Sequence, residues 1–140
     1  MMFPPTYIPN DSERVSLYRE LDNMEQERDI QSFASHLEDR FGKIPEEGIE
    51  LIRVVRLRRM AKKLGMERII LKKEQMSIYL VANADSPYYQ SKAFDKLIAF
   101  VQKHPRECNL RDLNGKRSIV IKHVPNVGQA CAYLDEMETI

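Results

Sequence analysis

The stretch His36-Leu37-Glu38-Asp39-Arg40 crowds ionisable side chains of both signs into little more than one helical turn, directly before Phe41-Gly42-Lys43-Ile44-Pro45. The chemistry open to such a set is ion pairing. A carboxylate accepts paired hydrogen bonds from a guanidinium, an arginine donates them, and a neutral histidine accepts only one. His36 and Asp39 stand at i and i+3, so on a helix they share an exposed face, with Arg40 beside them. Glu38 lies between them in sequence and can supplement the acid. The plain alternative for Asp39 is local pairing with Arg40 or Lys43.

Covalent and metal chemistry find no comparable constellation. His36, His104 and His123 fall in different elements and lack metal-ligand spacing. No glycine loop of phosphate-cradling pattern and no nucleophile elbow occurs. Glu46-Glu47 sits where acids favour a helix N-terminus, and Glu25, Glu27 and Asp29 read as solvated charge. The expectation is a non-enzymatic domain with no catalytic residue, metal or cofactor of its own.

The elements that must position the charged stretch are helical. Ile30, Phe33, Ala34, Leu37 and Phe41 recur at helical spacing and form one buried stripe, on a helix from about Asp29 to Phe41. Gly42 suits a left-handed helix end, and Pro45 pre-sets the next first turn. Before them, the prolines of residues 1–11 predict an extended segment or linker, and Ser12 a cap for a helix turning Val15, Leu17, Tyr18 and Leu21 inward. A third helix runs from about Glu46 to Leu64 and stops at Gly65. It shows an apolar face of Leu51, Val54, Leu57, Ala61 and Leu64, with Ile49 and Met60 at its edge. Arg56, Arg59, Lys62 and Lys63 gather opposite, interrupted by Ile52 and Val55. Such a face can grip phosphates, although solvated or partner-facing basic faces are common and no exposed aromatics interleave this one.

Past Gly65 the pattern changes to strand, strand, helix, repeated. Glu67–Leu71 and Met76–Val81 read as strands. Ser86-Pro87 signals a helix with Phe94, Leu97, Ile98 and Val101 inward, up to His104. Cys108–Leu113 then pairs with Arg117–His123 across Asn114-Gly115, a favoured hairpin dipeptide. Asn126 caps a last helix with Val127, Ala130, Cys131 and Leu134 inward. The prediction is an α+β fold, a small mainly antiparallel sheet packed against helices, with a helical part at 12–65 and a strand-rich part at 66–140 of one domain.

Composition agrees. The 140 residues, 43% hydrophobic and 31% charged, suffice for a real core. A net charge of +1 singles out neither nucleic acid nor an acidic partner. No apolar run approaches the ~20 residues that span a bilayer, and no signal-peptide pattern opens the chain. Cys108 and Cys131, isolated in sequence, read as free thiols of a reducing cytoplasm rather than a disulfide.

Asp39-Arg40-Phe41-Gly42 with Pro45 resembles the C-terminal domain of bacterial transcription-repair coupling factors, the Mfd family. So do Tyr7-Ile8-Pro9-Asn10-Asp11 and Arg14-Val15-Ser16-Leu17-Tyr18 upstream. Leu57-Arg58, Ala61 and Lys63-Leu64-Gly65-Met66 continue the likeness. It covers roughly residues 6 to 82 well. The resemblance implies a regulatory, autoinhibitory domain cut from a longer cytoplasmic protein. That parent would be an ATP-dependent DNA translocase in nucleotide excision repair, with ATP and Mg in its motor domains and with RNA polymerase and DNA bound through other domains. The domain would pack on the parent's UvrB-like domain, masking its UvrA-binding surface. The family's motif carries two acids facing arginines of that domain. Asp39 keeps one, while His36 stands where the family often has glutamate, so Asp39 is the implied contact. The alternative is a nucleic-acid-binding module using Arg56, Arg59, Lys62 and Lys63.

Overall fold

The computed structural model describes residues 2–140. They form helices α1 (Asp11–Asp22), α2 (Glu27–Phe41) and α3 (Glu46–Lys63), strands β1 (Arg68–Lys72) and β2 (Gln75–Tyr79), and helix α4 (Lys92–Lys103). Strands β3 (Cys108–Leu113) and β4 (Lys116–Ile121) and helix α5 (Val127–Thr139) complete the chain. The sheet is antiparallel, four-stranded, in the order β1-β2-β4-β3. This is the α+β fold expected. The chain divides into two compact units, Met1–Arg56 and Leu57–Ile140.

In the first unit, the described part of the segment expected to be an extended lead-in, residues 2–11, is folded into the unit. Pro4 accepts from the Tyr7 and Ile8 amides at 3.0 and 3.1 Å, closing a turn that drives Phe3 and Ile8 into the core, 1% and 0% exposed. Prolines exclude strand pairing here, but they favour such a turn as readily as an extended chain. The cap of α1 is Asn10, not Ser12: its side chain accepts from the Glu13 amide at 2.9 Å. Val15 points outward, 38% exposed. The place one stripe above Leu21 belongs to Arg14, whose guanidinium donates to the Ile8 carbonyl at 3.0 Å.

Helix α3 departs from expectation as well. Ile52 and Val55, read as interruptions of a basic face, are buried with Leu51 in the first core, and Val54 is half-buried. In the second unit Leu57, Met60, Ala61 and Leu64 are buried. At 100° per residue these two sets do not share one face, so a single stripe drawn along the whole helix misassigns its middle. The helix closes as expected at Gly65. The amides of Gly65 and Met66 bond the Lys62 and Ala61 carbonyls at 3.2 and 2.9 Å, and the Tyr88 hydroxyl donates to the Leu64 carbonyl at 2.6 Å. A side chain on Gly65 would collide with the Tyr88 ring, 2.1 Å away.

The second core lies on one face of the sheet, where Met76, Ile78, Ile119 and Ile121 pack with Leu97, Phe100, Leu134 and Met137. Ser86-Pro87 begins a short 3-10 turn at Pro87–Gln90 rather than the helix itself. A second cap, Ser91, accepting from the Phe94 amide, starts α4. Asn126 caps α5 as expected, at 2.9 Å from the Gln129 amide. Both cysteines are half-buried and outside any disulfide, and burial lifts the Cys108 thiol to about 11. No helix among the described residues is long and apolar enough to cross a membrane.

The two hairpins close differently. Asn114-Gly115 turns with φ of 56° and 80°, as its sequence announces, but Lys73-Glu74 makes the same kind of turn with φ of 51° and 60°. Left-handed conformations cost non-glycine residues ~1–2 kcal/mol each. Replacing Lys73→Asn together with Glu74→Gly is therefore expected to stabilise the protein by about 1 kcal/mol, read as a higher denaturation midpoint with unchanged slope. Burial, with Tyr89 a smaller cause, raises the Tyr88 phenol to about 12. A raised folded pKa means that this contribution is complete below the unfolded phenol's ~10 and is lost as pH climbs toward 12. Thermal melts across that window should show falling stability, with a smaller fall in Tyr88→Phe.

Candidate interaction face at the end of helix α2

Helix α2 buries Ile30, Phe33 and Leu37, with Ala34 and Phe41 partly covered. That stripe fixes the rotation of the helix and so the direction of every charged side chain in 36–40. The helix ends where the Gly42 amide bonds the Glu38 carbonyl at 2.9 Å. Gly42 then takes φ 88° and ψ −170°. The φ is positive, as expected, but the ψ is extended rather than left-handed helical, a region essentially confined to glycine. No atom lies within 4 Å of where its Cβ would be, so backbone conformation alone requires glycine here. The Pro45 carbonyl accepts the first bonds of α3 from Gly48 and Ile49.

A residue from outside the helix completes this end. The Tyr7 hydroxyl donates to the Gly42 carbonyl at 2.6 Å and to the Leu37 carbonyl at 3.3 Å, and its ring lies 5.7 Å from that of Phe41. Burial, and after it the Glu38 carboxylate, hold the Tyr7 phenol above its ordinary range, so it remains a donor. Sequence reasoning placed Tyr7 in the family motif but gave it no task. A tyrosine just before a proline turn carries no local mark of a helix end more than thirty residues later.

The charged residues separate into different settings. Asp39 is exposed and has no ion pair among the described residues, so the local pairing with Arg40 or Lys43 is not formed. Arg40 instead reaches Glu13 of α1, Nη2 to Oε1 at 2.6 Å, and its guanidinium lies 4.9 Å from the Phe41 ring centre. Glu38 is exposed on the Tyr7 side. His36 is exposed too, and with Arg40 it lines a groove of about 670 Å³ between α1 and α2, floored by Leu17, Met24 and Phe33. Asp39 lies outside that groove. The stretch thus offers two exposed carboxylates without an ion pair among the described residues, Glu38 and Asp39, and a neighbouring histidine rather than a closed cluster.

The alternative basic set is less open than its sequence suggests. In the first unit Arg56 pairs with Glu27 at 2.8 Å. In the second, Lys63 lies 3.7 Å from Glu138, Arg59 is half-buried and Lys62 is exposed. Among the described residues no group of three or more His, Cys, Asp or Glu could hold a metal ion.

Comparison with known proteins gives this arrangement a context. Residues 1–91 match the model of the TRCF domain family. The chain is 25% identical over 114 residues to the transcription-repair-coupling factor of Rickettsia prowazekii, covering 81% of this chain and 10% of that protein. Against the Borreliella burgdorferi factor it is 28% identical over 111 residues, 79% of this chain and 9% of the other. Against that of Escherichia coli it is 31% identical over 68 residues, 49% and 6%. The chain thus spans about a tenth or less of the length of these relatives. A crystal structure of the C-terminal domain of a transcription-repair coupling factor has the same fold: TM-score 0.80, 13% identity, covering 98% of this chain and 86% of that one.

The Tyr7 bonds yield a direct expectation. Tyr7→Phe keeps the ring against Phe41 and removes only the hydroxyl, so it should destabilise the chain by roughly 0.5–1.5 kcal/mol, measured by urea unfolding. Phe41→Ala should cost less than the ~3–5 kcal/mol of a fully buried ring, because Phe41 is only partly covered.

Proposed function

The chain belongs to the TRCF domain family, and from that membership we propose that it acts as the non-catalytic regulatory domain of a transcription-repair coupling factor. In this reading it packs on the UvrB-like domain of its parent protein and masks a UvrA-binding surface until the parent engages stalled RNA polymerase. The setting is bacterial cytoplasmic DNA repair. The parent's ATP- and Mg-dependent movement on DNA belongs to other domains, and this chain binds no cofactor in performing its task.

The observation that carries the reading is Asp39: an exposed, unpaired carboxylate on a helix end held by a buried stripe, Gly42 and the Tyr7 hydroxyl. A fixed acid with no partner in its own chain is suited to an arginine on another surface. Exposed pairs of this kind contribute only ~0–1 kcal/mol each, so several specify docking yet release readily. His36 adds a hydrogen bond when neutral and repels an arginine when protonated, which leaves Asp39 as the main contact. The pairing of Arg56 and Lys63 with acids of their own units gives the nucleic-acid reading of α3 less support.

Titrating the chain against the isolated UvrB-like domain tests the proposal. Asp39→Arg should weaken binding at least tenfold, ~1.4 kcal/mol or more, while leaving the melting temperature unchanged. UvrA should compete with the wild type for the same surface. Undiminished binding by a folded Asp39→Arg variant would falsify the assignment.

A further inference from the structure

One face of the sheet is packed on the second core, and the strand register fixes what stands on the other. Across the strands run two rows, Arg68–Tyr79–Ser118–Arg111 and Ile70–Ser77–Val120–Asn109. Lys72 lies beyond the second row, and Lys116 beyond the first. Strand residues alternate between faces, so all of these share the side opposite Ile78 and Ile119. Arg68, Lys72, Arg111 and Lys116 are exposed there, and none is in an ion pair among the described residues. No acid within the four strands stands on this face. Asp112, the acid of β3, alternates to the other side and faces Arg117 at 3.5 Å. The net charge of +1 conceals this, because the compensating acids lie elsewhere in the chain.

Tyr79 stands among these cations, 39% exposed, with the Arg68 guanidinium 5.9 Å from its ring centre. Its partner on β4 is Ser118, one of the smallest side chains. A flat strip of cations without acids suits a polyanion. An exposed aromatic ring among them suits the face of an unpaired base, which a duplex keeps inside its stack. We infer that the open face of the sheet is a binding site for single-stranded nucleic acid, with Arg68, Lys72, Arg111 and Lys116 on phosphates and Tyr79 stacked on a base. The site is separate from the Asp39 face and does not depend on the regulatory reading. It was missed in sequence because each cation sits alone in an alternating strand, and only the register brings them together.

Fluorescence anisotropy with the whole chain and a labelled oligothymidylate of about 12 nucleotides tests this. Binding should weaken with salt, log K falling with log salt at a slope of about −2 to −3, as expected for three or four neutralised phosphates on a single strand. Arg68→Glu with Arg111→Glu should reduce affinity at least tenfold, and Tyr79→Ala about fivefold or more, with unchanged melting temperatures. Equal affinity for a duplex of the same length, equal affinity for polyglutamate, or full affinity in the folded Tyr79→Ala variant would each overturn the inference.

Discussion

A helix must end with its last carbonyls satisfied, and the form of the α2 end follows from how this chain meets that demand. At this end the Gly42 amide bonds the Glu38 carbonyl. Tyr7, from the start of the unit, adds a brace across the break by donating to the Gly42 and Leu37 carbonyls. It can do so only because the turn at Pro4 buries Phe3 and Ile8 on either side of it. The same stripe that anchors α2 turns Asp39 outward, where it makes no ion pair among the described residues. Availability of that carboxylate is therefore a consequence of packing, not an accident of a loose surface.

The second unit resolves a different demand. A sheet of four strands needs only one face covered, and the helices cover that of Ile78 and Ile119. The other face is free to take any side chain that tolerates water. Its composition is not neutral, however. Around a small apolar patch of Ile70 and the buried Val120, with the exposed Leu113 at one end, it carries cations, hydroxyls and one tyrosine, while the acid of β3 alternates to the core side and meets Arg117. Edge strands that bear unpaired lysine or arginine also resist pairing with another sheet. That role accounts for Arg68 and Lys72 on β1 and Arg111 on β3, but not for Lys116 on the inner strand β4 or for an exposed ring on the inner strand β2.

Much of this fold was legible in the residues, and the failures have a common physical origin. Periodicity over one segment found α2, both hairpins and the cap at Asn126 within reach of the correct positions, since each depends on neighbours in sequence, whereas Ser86 caps only a short turn and Ser91 starts α4. The Asn114-Gly115 turn announced itself through its backbone preference, whereas Lys73-Glu74 adopts positive φ against its own preference because the paired strands impose it. Asn10 displaced Ser12 because both residue types cap and sequence alone does not rank them. α3 was misjudged in its middle because its buried sides belong to two cores, a fact no single periodic pattern contains. At the candidate face, the outward charges were legible, but the Tyr7 clamp and the capture of Arg40 by Glu13 were not. Both are contacts between distant segments.

Fold and contact also differ in how they are inherited. A TM-score of 0.80 at 13% identity means that the fold has been kept while most side chains changed. Leu37, Phe41, Gly42 and Pro45 do structural work in this chain: they hold and stop one helix and start the next, and they would do so whatever the surface binds. Asp39 is different, because nothing in the packing of its own unit requires an acid there. An exposed position without a local partner is one where substitution costs little stability. On the proposed reading, the acid at 39 therefore serves a contact with another surface and not the packing of its own unit. His36, equally exposed, is as little constrained by the packing of its own unit.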